Sequence, residues 1–168
     1  MYSMLPRFFW SCMIFLHLVI LEMVMNMKND REMLCSILKT TQMGQIGIRS
    51  VLDTSMRPGL RKALQSQLQK YDSIESEAYY LASQRGWELE EVQPGKRLLA
   101  DMMTRMKLSH GNADSKIADM MIQGNTRGMI SGMKNLHQYQ QQDCQVSSLC
   151  QRLLDCETAN IRQLQTFL

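Results

Sequence analysis

The stretch Ile117–Gly132 reads IADMMIQGNTRGMISG, and its pattern decides the fold. Its glycines, Gly124, Gly128 and Gly132, are four residues apart, which places all three along one face of a helix. Each glycine inside a helix costs about 0.5–1 kcal/mol relative to alanine, so a compensating interaction is expected. Backbone without side chains lets a second helix approach closely. The stretch therefore predicts the central helix of a bundle, with the three glycines at a helix-packing face.

Length and composition favour one all-helical domain. The chain has 168 residues, which suits a single core. It holds only three prolines but 16 methionines, and no segment shows the alternation of apolar and polar residues that a strand requires. The formal net charge is +3, and basic residues are interspersed with acidic ones, whereas nucleic-acid binding needs a clustered basic face. These features predict an all-α protein that binds no nucleic acid, with most methionines filling the core.

The cysteines indicate a reducing compartment. Their number is odd and their spacing is wide: Cys12, Cys35, Cys144, Cys150 and Cys156. A disulfide framework normally needs an even number of cysteines in a short secreted chain. We therefore expect free thiols and a cytoplasmic protein.

An apolar segment precedes the amphipathic part of the chain. From Phe8 to Met27 it is long enough to span a bilayer and so could be a membrane anchor, but Glu22 within it would be costly in lipid. A second interpretation is a mis-assigned start. A purine-rich codon pair at residues 21–22 would form a bacterial ribosome-binding sequence just upstream of Met25 or Met27. We favour this second interpretation, and an extra helix is the third.

Amphipathic patterns in residues 28–168 predict one domain of four long helices. The first runs from about Asp30, its candidate cap, to Leu52, and the second lies between Pro58 and Gly86 with Ser55 as a candidate cap. The third has Asn112 or Asp114 as its candidate cap, and the last starts at Asp143. The connection from Gly86 to Asn112 carries a short amphipathic piece near 98–106 and is too long for a hairpin. It suits a crossover along the bundle. We predict a ferritin-like four-helix bundle, two helical hairpins joined by this crossover, preceded by the extra apolar segment 1–27.

The histidines exclude the usual di-iron motif of such bundles. That motif needs Glu-x-x-His on two helices, because iron takes carboxylate and imidazole ligands at fixed spacing. The only histidines are His17, His110 and His137, and none has a glutamate three residues before it. We expect His110 and His137 to be surface residues.

A band of polar residues falls at the middle height of the predicted bundle. It comprises Thr41, Gln45, Glu75, Asn125, Cys156, Glu157 and Asn160. The preferred interpretation is that these groups hydrogen-bond to one another or to Arg127 and fix the helix register. The alternative is a metal site for iron or manganese, or a pair of acid–base groups, formed by Glu75 and Glu157 with Asp119.

One segment resembles a known family. Residues 71–79 read YDSIESEAY and residues 84–87 read QRGW. This pattern resembles the second helix of the bacterial spore coat F type of ferritin-like protein, in which a helix with glutamate and aromatic residues ends in a Gly-Trp step. The resemblance implies a ferritin-like bundle without the iron-binding histidines. It also implies a link to spore coats.

From these observations we predict a non-enzymatic structural or interaction protein without a cofactor. Its expected partners are further copies of itself, through an exposed apolar face, or other coat proteins. The alternatives are a metal-binding or oxidative bundle that uses Glu75 and Glu157, and a bundle tethered to a membrane by residues 8–27.

Overall fold

The computed structural model describes residues 28–89, 112–140 and 143–168. They form the helices α1 (Asp30–Leu52), α2 (Pro58–Ser83), α3 (Ala113–Gln138) and α4 (Cys144–Leu164), followed by a 3-10 turn at Gln165–Phe167. Within these residues there is no strand, only an isolated bridge between Lys28 and Tyr139. The prediction of an all-α helical bundle is confirmed. The apolar segment 1–27 and the short helix predicted near 98–106 lie outside the described residues.

Local capping explains where the first two helices begin. Asn29, rather than the expected Asp30, caps α1: its side chain accepts a hydrogen bond from the amide of Glu32, and the Glu32 side chain accepts one from the amide of Asn29. This reciprocal pair satisfies two free amides of the first turn. Ser55 does not cap α2. That helix starts with Pro58 in its first turn, where the missing N–H of proline has no cost.

The last two helices begin as their sequence patterns indicate. Asn112 caps α3 by accepting a hydrogen bond from the Ser115 amide at 2.8 Å. Asp143 caps α4 by accepting one from the Gln145 amide, also at 2.8 Å. Side chains of this type satisfy the free amides of a first turn, so the two short polar side chains fix where α3 and α4 start.

Polar contacts at the two ends of the bundle define the helix directions. At one end the Arg31 guanidinium donates to the Glu88 carbonyl oxygen at 3.1 Å, and Arg85 forms an ion pair with Asp143. This end therefore holds the start of α1, the end of α2 and the start of α4. The bridge to Tyr139 adds the end of α3.

At the opposite end Arg57 joins three elements. Its side chain pairs with Asp114 at the start of α3, and its guanidinium lies 5.7 Å from the centre of the Phe167 ring after α4. Consequently α1 and α4 run in one direction and α2 and α3 in the other. The end of α2 and the start of α3 lie at opposite ends of the bundle.

The core fills the space between the four helices. Its fully buried members include Leu34, Ile48, Leu64, Ile117 and Leu153. The closest helix pairs are α1 with α2 and α3 with α4, and α2 also packs against α4. The thiols of Cys35, Cys144, Cys150 and Cys156 are free. None of the helices in the described part of the chain is long and apolar enough to cross a membrane.

Candidate functional site

A cleft with a volume of about 760 Å³ lies between α1 and α3. This volume is in the range of small-molecule sites. The walls carry several small residues, namely Ser36, Thr40, Gly44 and Gly47 on α1 and Gly124, Gly128 and Ser131 on α3. Three methionines supply apolar surface, and they are Met43, Met120 and Met121. Tyr71, Asn125 and Glu157 reach the cleft from the interior of the bundle and form its floor.

Two glycines make room for the floor. A Cβ atom on Gly44 would lie 2.5 Å from Cε2 of Tyr71, and one on Gly128 would lie 2.6 Å from Oε1 of Glu157. Real Cβ atoms do not approach other heavy atoms so closely. The two floor side chains therefore occupy the space that any other residue would fill at Gly44 and Gly128.

The other two glycines of the α3 series have different surroundings. A Cβ atom on Gly132 would lie 2.6 Å from Cδ2 of Leu154, so this glycine is packed against α4. Gly124 is exposed, and a Cβ atom there would meet nothing within 4 Å. The expectation that Gly124 packs against a helix is corrected: α1 and α3 are separated by the cleft at this height, so Gly124 forms part of its open wall.

Four buried polar side chains form the floor and its support. The hydroxyl of Tyr71 lies 3.0 Å from Oδ1 of Asn125 and 3.0 Å from Oε2 of Glu157. The Asn160 amide donates to the same Asn125 oxygen at 3.1 Å, and the Asn125 amide donates to the carbonyl oxygen of Met121 at 2.6 Å. Arg127 has no part in this network, contrary to one of the sequence-based alternatives. Tyr71, and not Arg127, supplies the hydrogen bonds to Asn125 and Glu157.

The protonation of Glu157 follows from its surroundings. Burial raises the pKa of Glu157 to about 8, and the hydrogen bond from Tyr71 lowers it only in part. Burial also raises the pKa of Tyr71 well above its ordinary value, with the Glu157 charge as the next cause. Both groups are therefore protonated at neutral pH. The Glu157 carboxyl can donate to the Tyr71 oxygen while the Tyr71 hydroxyl donates to Asn125, which uses each proton once.

The three carboxylates proposed as metal ligands lie in different environments. Glu75 accepts hydrogen bonds from Nε2 of Gln42 at 2.8 Å and from Nε2 of Gln45 at 2.5 Å, so side-chain amides surround it. Asp119 is exposed and accepts from Nε2 of Gln123 at 2.9 Å, while Glu157 is buried. Among the described residues, no three His, Cys, Asp or Glu side chains form a group that could hold a metal ion. Glu75, Glu157 and Asp119 are therefore not brought together.

Apart from Thr41, the members of the predicted polar band belong to one of two hydrogen-bonded networks, the floor with its support and the side chains around Glu75. Asn125, Glu157 and Asn160 belong to the floor and its support, and Cys156 accepts a long hydrogen bond from Asn160 at 3.6 Å. Thr41 donates to the Leu38 carbonyl oxygen of its own helix. His137 is exposed in the last turn of α3, and His17 and His110 lie outside the described residues.

Sequence reasoning missed the α1 wall, including Gly44 and Gly47, and did not single out Tyr71 of the floor. Tyr71 is one member of the apolar stripe of α2, with Leu60, Leu64 and Leu68, so its spacing alone does not distinguish it from a core residue. The glycines of α1 are three residues apart inside an amphipathic helix, which is the same kind of signal that drew attention to α3. Applied to α1, that argument would have indicated a second glycine-bearing face.

Comparison with known proteins adds information on the fold alone. No protein-family model matches the chain, and no curated protein matches it. The solved structure of a conserved hypothetical protein, rv2844, from Mycobacterium tuberculosis is similar, with a TM-score of 0.64 and 12% sequence identity. The match covers 83% of this chain and 96% of the mycobacterial chain. The likeness supports the helical architecture.

Proposed function

We propose that this protein is a ferritin-like four-helix bundle that acts as a non-enzymatic binding protein, with the cleft between α1 and α3 as its recognition site. The observation that carries the proposal is the presence of several small residues on both facing walls. They leave a cleft of about 760 Å³ open down to a buried polar floor. A concave, largely apolar site with a few fixed polar groups is the usual form of a small-molecule site.

The helix directions support the ferritin-like assignment. In such a bundle α2 and α3 are parallel, so the connection between them has to run from one end of the bundle to the other. Here the end of α2 lies beside the start of α4, whereas the start of α3 lies beside the start of α2. These positions of the helix ends support two hairpins joined by one long crossover.

The chemistry of the floor favours binding over catalysis. Acid–base catalysis needs one group that gives a proton and another that takes one, so their pKa values are pushed apart. At this floor burial raises the pKa of both Tyr71 and Glu157, so both are proton donors at neutral pH. The nearby amides of Asn125 and Asn160 do not titrate. The floor is suited to hold a ligand by hydrogen bonds.

Filling the cleft tests the proposal. N-phenylnaphthylamine, a neutral apolar dye that fluoresces in apolar surroundings, should bind to the full chain with a saturable rise in emission. Gly124→Leu should abolish this rise, because Gly124 is a cleft wall with open space beyond it. Ala113→Leu adds the same side chain at an exposed position of α3 outside the cleft and should bind the dye as the wild type does. Dye binding that is absent, or unaffected by Gly124→Leu, would refute the proposal.

The link to spore coats and the self-association stay predictions. The first rests on the resemblance of residues 71–87. For the second, α3 presents Ile130 and Met133 on its outer surface, each 42% exposed. Sedimentation of the wild type and of an Ile130→Ser variant would test whether this small apolar area holds two copies together. An unchanged sedimentation coefficient at rising concentration would exclude self-association through α3.

A further inference from the structure

Cationic side chains dominate the edges of the cleft. The charged residues that line it are Lys28, Lys39, Lys116 and Arg127 on the basic side and Asp119 and Glu157 on the acidic side. Asp119 accepts a hydrogen bond from Gln123, and Lys28 donates one to Ser36 at 2.8 Å.

None of the four cations has an anionic partner among the described residues. The ion pairs in the described residues are Arg49–Asp72, Arg57–Asp114, Arg85–Asp143 and Arg152–Glu77. The side chains of Lys39, Lys116 and Arg127 form no ion pair or hydrogen bond with any described residue. The cleft therefore carries positive charge that the described residues leave uncompensated.

Two of these cations come from opposite walls at the same height. Thr40 and Gly128 face each other, because Cγ2 of Thr40 would lie 3.1 Å from a Cβ atom on Gly128. Lys39 and Arg127 are the residues immediately before them, and both line the cleft. A negatively charged group between the walls would therefore be within reach of one ammonium and one guanidinium group. Arginine in particular binds carboxylate and phosphate through two parallel hydrogen bonds.

The rest of the cleft suits an apolar body and not a second charge. Met43, Met120 and Met121 supply flexible apolar surface that adapts to the shape of a ligand. The floor adds no negative charge at neutral pH, because burial raises the pKa of Glu157 to about 8. A ligand anion would therefore meet cations at the edge and a neutral hydrogen-bonding group at the base.

We propose that the cleft binds an amphiphilic anion, with its carboxylate or phosphate group between Lys39 and Arg127 and its hydrocarbon portion along the methionine and glycine walls. This inference rests on the proposed function, since it specifies the ligand of the same cleft. The inference depends in addition on the cations Lys39 and Arg127, which the binding of a neutral dye does not involve.

Displacement of bound N-phenylnaphthylamine from the full chain tests the charge requirement. Decanoate and decanol have the same hydrocarbon chain and differ in charge. Decanoate should displace the dye at a concentration about tenfold lower than decanol does, as expected for a charge-assisted hydrogen-bonded pair. Lys39→Gln combined with Arg127→Gln should remove this preference without changing the affinity for decanol. Lys134→Gln removes an exposed cation of α3 outside the cleft, and this variant should retain the preference for decanoate.

The outcomes separate this inference from the proposed function. Equal displacement by decanoate and decanol, or a preference for decanoate that survives in the double variant, would overturn the anion assignment while leaving the cleft as a binding site. A protein that binds neither the dye nor the two amphiphiles would overturn both proposals.

A final arm distinguishes the source of the anion. Decyl phosphate that displaces the dye, without sedimentation of the protein on phosphatidylglycerol vesicles, would assign the ligand to a free molecule. Sedimentation on those vesicles that is lost in the double variant would assign it to a membrane lipid. Sedimentation that the double variant retains would show a charge attraction that does not involve the cleft and would count against the assignment.

Discussion

At the scale of single residues, two glycines of the same helix should respond in opposite ways to one added methyl group. Gly124 is exposed in the cleft wall and has open space where a Cβ atom would lie, so alanine there should stabilise the fold by about 0.5–1 kcal/mol. At Gly128 the methyl group would collide with the Glu157 carboxyl, and alanine should destabilise the fold by about 1–3 kcal/mol. Urea unfolding of Gly124→Ala and Gly128→Ala measures both. Two changes of the same sign would contradict either the close contact of Gly128 with Glu157 or the open space beside Gly124.

The hydroxyl of Tyr71 is the second residue whose removal should be costly. It is the only atom that bridges Asn125 and Glu157 within the described network, and both of these partners are buried. Tyr71→Phe leaves the ring in place but leaves two buried polar groups short of a partner, so it should destabilise the fold by about 1–3 kcal/mol. Tyr80→Phe removes the same atom from a side chain that is 60% exposed and is the matched control. If the two variants unfold at the same urea concentration, the network does not contribute to stability.

At the scale of elements, the helices could be predicted from local sequence signals because their starts depend on neighbouring residues. Asn112 and Asp143 cap their helices as the pattern indicates, and Pro58 opens α2. The cap of α1 shifted by one residue because Asn29, unlike Asp30, is three residues before Glu32 and can form the reciprocal pair. The start of a helix can therefore be predicted from the sequence, because it depends on residues within the first turn. Contacts between helices cannot be predicted in this way.

The junction of Arg57 with Asp114 is such a contact between elements, and it offers the next test. The backbone amide of Arg57 donates to Oδ1 of Asp114 at 3.1 Å, and its guanidinium pairs with the other oxygen. The side-chain hydrogen bond from Arg57 lowers the pKa of Asp114, and the carboxylate also lies at the positive start of α3. Asp114→Ala should therefore destabilise the fold by about 1–2 kcal/mol at neutral pH.

Asp119→Ala is the control for this junction, because Asp119 lies on the same helix but is exposed and bonds only to Gln123 among the described residues. It should change the urea midpoint little. The sign of the pH effect also follows from the pKa. A lowered folded pKa gives stabilisation above the ordinary carboxyl pKa that is lost as the pH falls. The difference between wild type and Asp114→Ala should therefore shrink in acid, and a constant difference would rule out the ion pair as its cause.

At the scale of the whole molecule, the site depends on helices that are distant in the chain. The floor joins Tyr71 of α2 to Asn125 of α3 and Glu157 of α4, and the walls come from α1 and α3. The sequence places Asn125, Glu157 and Glu75 at a similar height along the bundle. It does not contain the rotation of each helix about its own axis, which turns Glu75 toward Gln42 and away from the floor. For this reason the polar band was predictable as a layer, while its division into two networks was not.

The protonation of Glu157 should make the stability of the entire bundle depend on pH. In the fold its pKa is raised to about 8 from 4.5, so between these values the folded chain holds a proton that the unfolded chain has released. The stabilisation from this proton is complete below the unfolded pKa and is lost as the pH rises through the folded value, at up to about 1.4 kcal/mol per pH unit. The free energy of unfolding should therefore fall between about pH 5 and about pH 9.

Glu157→Gln keeps a neutral side chain with hydrogen-bonding groups at all pH values, so its unfolding free energy should be nearly constant over the same range. At the alkaline end it should exceed that of the wild type. Glu88→Gln makes the same substitution at an exposed position and is the control, which should keep the wild-type slope. If the wild type and Glu157→Gln show the same slope in urea titrations, the Glu157 carboxyl is ionised in the folded protein, and the floor of the cleft carries a negative charge that would repel the anion proposed to bind there.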